Sequence, residues 1–198
     1  MTMIKVPPIP KKRIAIFIDA ANFEISLKQC GLRVDYKKLL TEFRTKGKLT
    51  ILRYYSPVFK TKGQNRFFSF IKNQGFKIVT KSIKVIRKRN KKSQNKANFD
   101  VEITFDAAVN IGKYETMILF SGDSDFVYLV SQLKKSSITT TVISPQWRTA
   151  RELKKVADTF IDLRECDFVI KKPPFGGAHN SLSTAKAIYN KKGEKSSD

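Results

Sequence analysis

Strands and helices alternate along the body of this chain, which predicts an α/β fold: a three-layer α/β/α sandwich with a mainly parallel central sheet. Three observations carry that prediction. The runs Ile14-Ala15-Ile16-Phe17-Ile18 and Met117-Ile118-Leu119-Phe120 are apolar without alternation, as strands buried on both faces of a parallel sheet are. Between strands, apolar residues recur at three and four, as in Phe126, Leu129, Val130 and Leu133. Each apolar run also passes straight into a polar turn holding aspartate, Asp19 after the first and Asp123 with Asp125 after the second.

Residues 1–12 contain Pro7, Pro8 and Pro10 and read as an extended basic leader. Residues 13–18 are the first buried strand, and Asn22 to Gln29 a short helix stopped near Gly31. Asp35 is placed to cap a helix through Arg44, with Leu39, Leu40 and Phe43 at helical spacing and Gly47 at its end. Residues 49–55 are strand-like, closed by Pro57. Gln64 to Asn73 form a helix with Phe67, Phe70, Ile71 and Gln74 along one side and Gly75 beyond it. Phe76 to Ile86 read as strand, and Arg87 to Lys96, which holds no apolar residue, as an exposed loop.

Asp100 to Ile111 is helical, with Val101, Phe105, Ala108 and Val109 expected on the packed face. Residues 116–120 form the second buried strand, and Asp125 to Lys135 the helix after it. Ile138 to Ser144 is a β-branched strand, Thr149 to Ala157 a short helix, and Thr159 to Leu163 the last strand. The reading is one domain at 13–170 with a flexible, polar and basic tail at 171–198.

The chain carries 39 Lys and Arg against 17 Asp and Glu, a formal charge of +22. The excess is concentrated. Lys81, Lys84, Arg87, Lys88, Arg89, Lys91, Lys92 and Lys96 share one acid-free stretch, and the leader and tail are also basic. Such clustering points to a phosphate backbone as partner, although solubility alone also favours lysine. Cys30 and Cys166 fit no zinc or redox spacing, so a reduced, intracellular chain is expected. No run approaches the roughly 20 apolar residues of a membrane helix, which predicts a soluble, cytoplasmic protein without a membrane partner.

Against that positive background the aspartates stand out. In an α/β sheet the carboxyl ends of the strands face one crevice. Carboxylates gathered there repel one another and raise each other's pKa unless a cation neutralises them. Taken singly, Asp125 fits an N-cap and Asp123 a turn former. Together, Asp19, Asp100, Asp123 and Asp125 suggest a pocket for a hard cation, Mg²⁺ or Mn²⁺, facing a polyanion. The single histidine, His179, falls in the tail, which argues against a histidine-pair mechanism. Tyr54, Tyr55, Phe59 and Trp147 are candidates to stack on bases, with Trp147 and Arg148 in the polar turn after Pro145 the more open.

The ordered set Ile16-Phe17-Ile18-Asp19-Ala20-Ala21-Asn22, Phe99-Asp100-Val101 with Asp106, Ser121-Gly122-Asp123-Ser124-Asp125-Phe126 and Ala157-Asp158-Thr159-Phe160-Ile161-Asp162-Leu163 resembles the LabA-like NYN domain family. That resemblance spans about residues 13–165 and implies a fold similar to PIN ribonucleases, with an acidic Mg²⁺ pocket. It assigns Asp19, Asp100, Asp123 and Asp125 to the metal and to catalysis, with Asn22, Ser121 and Asp106 in support. One departure is visible: the family commonly has Lys-Gly-Val-Asp before the helical acid, whereas here Ala97-Asn98-Phe99-Asp100 follows Lys96.

Two function classes follow. The first is a metal-dependent nuclease hydrolysing phosphodiester bonds, RNA favoured over DNA, gripping substrate through Lys84, Arg87, Lys88, Arg89, Lys91, Lys92, Lys96, Trp147 and Arg148. The second is a non-catalytic nucleic-acid-binding or regulatory protein built on the same pocket. A homodimer is open to either.

Overall fold

A computed structural model describes residues 12–82, 84–88 and 91–171. The leader up to residue 11, Arg89 and the tail from residue 172 lie outside the described residues. In order along the chain run β1 (Lys12–Asp19), α1 (Ala20–Gln29), β2 (Leu32–Val34), α2 (Tyr36–Lys46), β3 (Gly47–Val58), α3 (Lys62–Asn73), β4 (Lys77–Ser82), β5 (Lys84–Lys88) and β6 (Lys91–Lys96). They are followed by α4 (Asp100–Val109), β7 (Thr116–Phe120), α5 (Val127–Lys135), β8 (Thr139–Ser144), α6 (Arg151–Val156), β9 (Thr159–Asp162) and β10 (Val169–Lys171).

Six strands form the central sheet in the order β4-β3-β1-β7-β8-β9, and every pairing in it is parallel. The chain first builds outward from β1 to β3 and β4, then returns beside β1 and builds the other way through β7, β8 and β9. The order therefore reverses between β1 and β7, which in open α/β sheets opens a crevice at the carboxyl ends of those strands. Asp19 closes β1 and Ser121 follows β7, so the sequence places its polar turns at that crevice.

Side-chain alternation splits the core into two layers. Ile14, Ile16 and Ile18 face the side covered by α1, α2 and α3, where Phe23, Leu27, Leu39, Leu40, Phe43 and Ile71 pack. Ala15 and Phe17 face the side covered by α4, α5 and α6, where Ile103, Ala107, Leu129, Val130, Leu133 and Leu153 pack. Complete burial of one such Ile or Phe contributes roughly 1.5–3 kcal/mol, so β1, buried from Ile14 to Asp19, is a major source of cohesion. At Gly47, between α2 and β3, a Cβ would lie 2.2 Å from the Lys12 carbonyl oxygen, so only glycine allows these backbones so close.

Four expectations need correction. β3 runs through Pro57 to Val58; Pro57 lies past Tyr55, the last residue paired with β1, where the strand has only β4 as neighbour. The strand expected over 76–86 ends at Ser82, and the loop expected over 87–96 is largely β-structure. There β5 and β6 form a separate antiparallel hairpin, with Lys84 opposite Lys96 and Lys88 opposite Lys91. Backbone pairing requires no apolar residue, which is why composition concealed it.

The third correction concerns α4. Val101, Phe105 and Val109 are 76%, 64% and 54% exposed, while Ile103 and Ala107 are buried. The helix is turned so that Asp106 meets Tyr55 and Arg53, and Glu102 meets Lys81. Finally, β2 and β10 pair antiparallel, Val34 opposite Val169, in a two-stranded sheet the sequence did not announce. No helix among the described residues is long and apolar enough to cross a membrane, and both cysteines are free.

Candidate active site

The site begins with Asp19, which is 5% exposed and caps α1. Its Oδ1 accepts the Asn22 backbone N–H at 3.3 Å, and its Oδ2 accepts the Ser121 hydroxyl at 3.0 Å. The Ser121 oxygen accepts the Asp123 N–H at 3.3 Å, while Asn22 Oδ1 accepts the Gly122 N–H at 3.2 Å. The turn after β7 is thus laced to the end of β1. From its other side it is pressed by residues 144–150: a Cβ on Gly122 would sit 2.5 Å from the Arg148 carbonyl oxygen and 2.8 Å from Ser144 Oγ. Ala150 N–H donates to the Gly122 carbonyl at 2.9 Å. A side chain at position 122 would force this turn outward.

Asp123 and Asp125 project from that turn, Asp123 Oδ1 accepting the Asp125 N–H at 3.2 Å. Asp100 arrives from α4, across the β7 end. Asn98 Oδ1 accepts its backbone N–H at 2.7 Å, and the buried Phe99 ring, 6.1 Å from Tyr55, anchors the helix start. Asp100, Asp123 and Asp125 each bring a carboxylate oxygen to within 4.8 Å of the others. Of the four sequence-predicted acids these three converge, and Asp19 lies beneath them with both oxygens engaged. Each of its oxygens keeps a further lone pair.

The electrostatics match that crowding. Burial pushes the Asp19 carboxyl up to about 6, and the Asp123 charge adds to the rise, against the lowering effect of the Asn22, Ser121 and Ala21 donors. Asp100 is also pushed up to about 6, first by burial and then by the charges of Asp123 and Asp19, with the Asn98 hydrogen bond opposing. An all-oxygen donor set in which ionisation is resisted by like charge suits a hard cation such as Mg²⁺ or Mn²⁺.

The other predicted residues are dispersed. Asp106 accepts the Tyr55 hydroxyl at 2.8 Å and pairs with Arg53 at 3.8 Å, which makes it a brace between α4 and β3 and keeps it out of the carboxylate trio. Tyr54 and Tyr55 are wholly buried, so neither is open to a base. The backbone carrying Lys84, Arg87, Lys88, Lys91, Lys92 and Lys96 is the β5–β6 hairpin, joined to Asp100 through only residues 97–99. Arg148 Nη1 donates to Gln29 Oε1 at 2.8 Å, and Trp147 is 49% exposed with the Arg164 guanidinium over its ring. A cavity of about 430 Å³ lies at the opposite ends of β1 and β3, lined by Lys12, Arg13, Arg44, Thr45, Gly47, Lys48 and Glu115, and takes in none of the predicted acids.

Sequence reading missed Asn98 and the pair Asp162–Arg164. The first had a visible signal, an Asn two residues before a helical Asp, the spacing of a local side-chain cap. The second had half of one, an Asp closing β9 as Asp19 closes β1.

Residues 13–164 match the family model for the NYN domain. The chain is 28% identical over 164 residues to the Low amplitude and bright protein LabA of Synechococcus elongatus, covering 81% of this chain and 88% of that protein. A crystal structure of a protein of unknown function from Vibrio parahaemolyticus superposes with a TM-score of 0.68 at 25% identity, covering 81% of this chain and 97% of the other.

Proposed function

Because this chain belongs to the NYN domain family, we propose that it is a nuclease dependent on Mg²⁺ or Mn²⁺, hydrolysing phosphodiester bonds with RNA as the favoured substrate. The observation that supports this most is the convergence of Asp100, Asp123 and Asp125, carboxylate oxygens within 4.8 Å of one another, at the point where the strand order reverses. Cytoplasmic location belongs to the same proposal.

Asp100, Asp123 and Asp125 would hold the cation, with Asp19 adding its charge from below. When bound, such an ion lowers the pKa of coordinated water and offsets charge developing on the phosphate. The chain's own residues set the stage for that chemistry. Ser121 and Asn22 fix Asp19 and the Asp123 turn, so the acids are held before substrate arrives. The raised carboxyls of Asp19 and Asp100 must release protons as a cation enters, which couples activity to pH near 6. The β5–β6 hairpin brings Lys84 into register with Lys96 and Lys88 with Lys91, so its two strands carry their basic residues as one unit. In this reading the hairpin gathers the phosphate backbone and delivers it toward Asp100.

Incubating labelled single-stranded RNA with the purified protein in Mg²⁺, Mn²⁺ or EDTA tests the reading. Product that disappears in EDTA supports a nuclease. A salt-sensitive gel shift without product supports the binding-protein alternative.

A further inference from the structure

We propose that Trp147 and Arg164 form a stacking shelf for an unpaired base, which deepens the nuclease reading, and rests on it, by making the substrate single-stranded nucleic acid. Trp147 is the only tryptophan of the chain and is 49% exposed in a 3-10 turn, outside both core layers. The Arg164 guanidinium carbon lies 4.5 Å from the centre of its ring. Arg164 is not free to swing. Its Nε and Nη2 grip Asp162 at 3.1 Å and 2.6 Å, and Asp162 itself is 6% exposed at the end of β9. Asp162 also accepts the Arg164 backbone N–H at 3.1 Å.

A guanidinium held 4.5 Å over an indole that is still about half exposed makes an apolar surface edged by a neutralised charge. Unpaired bases stack on aromatic rings and on guanidinium planes. A base inside a duplex already has both faces covered and cannot enter. Because Asp162 balances Arg164, the shelf selects for bases rather than for phosphate, unlike the basic hairpin.

Position ties the shelf to the acidic crevice. The turn bearing Trp147 is the one whose Arg148 carbonyl abuts Gly122, next in sequence to Asp123. Arg148 in turn contacts Gln29, at the far end of the helix that Asp19 caps. The turn bearing Trp147 and the turn bearing Asp123 therefore pack side by side, with Ala150 N–H bonded to the Gly122 carbonyl at 2.9 Å, so one short single strand passes from the shelf to the carboxylates.

The single tryptophan makes the test direct. The full chain in EDTA is titrated with a short single-stranded RNA, with its duplex, and with the same backbone bearing abasic residues, following tryptophan emission and labelled-strand anisotropy. Single strands should quench emission saturably, whereas duplex and abasic strands should bind without quenching. Trp147→Ala should weaken single-strand affinity about tenfold with an unchanged salt slope, since stacking contributes affinity but no phosphate contact. Trp147→Phe should retain most of the affinity. Arg164→Lys, which keeps the charge and loses the plane, should weaken single-strand binding several-fold with an unchanged salt slope. Single strands that bind without altering emission, equal quenching by duplex, or no binding at all overturns the shelf. Quenching without any Mg²⁺-dependent cleavage would sink the nuclease reading and leave the shelf standing; cleavage without quenching would do the reverse.

Discussion

The Ser121 hydroxyl donates to Asp19 Oδ2 at 3.0 Å, joining the carboxyl end of β1 to that of β7 across the reversal in strand order. Both residues are buried, and the same serine oxygen receives the backbone N–H of Asp123. One hydroxyl therefore fixes a buried acid and the turn that carries two others.

Removing that hydroxyl should expose its role. Ser121→Ala leaves a buried carboxylate short of a donor, which costs about 1–3 kcal/mol when the acid is ionised. The deficit in urea unfolding should be largest near pH 8 and shrink near pH 5, where Asp19, with its value near 6, is protonated. An equal deficit at both pH values would mean the hydroxyl serves packing and the Asp123 N–H, and does not stabilise the Asp19 charge.

The raised Asp19 carboxyl gives a signed prediction. Its folded value of about 6 lies above the ordinary 3.8, so the folded state binds that proton more tightly than the unfolded chain. Stabilisation from this group is complete below about pH 4 and lost as pH rises through about 6. In chelator, the stability advantage of the parent over Asp19→Asn should fall by on the order of 2–3 kcal/mol across that window. Asp100 shifts the same way but is half-buried, and its share is smaller. Millimolar Mg²⁺ should reverse the trend, raising the melting temperature more at pH 7.5 than at pH 5. A melting temperature indifferent to Mg²⁺ at both pH values would remove the cation site.

How much of this was legible beforehand follows from what each residue depends on. Asp19, Asp123 and Asp125 were readable because an apolar strand running into aspartate is a local pattern. Their pairing with Asp100 was legible only through the ordered motifs, since α4 reaches the crevice by tertiary packing. The packed face of α4 was misread because two apolar stripes share the helix, Val101-Phe105-Val109 and Phe99-Ile103-Ala107. The partners of Asp106 and Glu102, namely Tyr55, Arg53 and Lys81, turn the second stripe inward. The β2–β10 pair and the Arg164–Trp147 stack link residues distant in sequence, and no local period announces them.

The hairpin should be separable from the fold, because its two strands form their own sheet. Replacing Arg87, Lys88, Arg89, Lys91 and Lys92 with Ala should leave the melting temperature nearly unchanged. The slope of log K against log salt should flatten by up to about 4 if all five touch phosphates. Fluorescence anisotropy at several salt concentrations checks this, and an unchanged slope would move the binding face elsewhere.

The central claim is that the carboxylate trio runs metal-dependent phosphodiester hydrolysis, and the most direct measurement is cleavage of labelled single-stranded RNA by the parent and by Asp123→Asn. Asn keeps the size and removes the charge that a hard cation requires. The parent should yield product in Mg²⁺ or Mn²⁺ and none in EDTA. The variant should be slower on the order of 100-fold or more, with RNA affinity in EDTA equal or higher, since one negative charge has gone from the substrate's path. Cleavage that persists in EDTA, or that Asp123→Asn performs at the parental rate, would contradict the account.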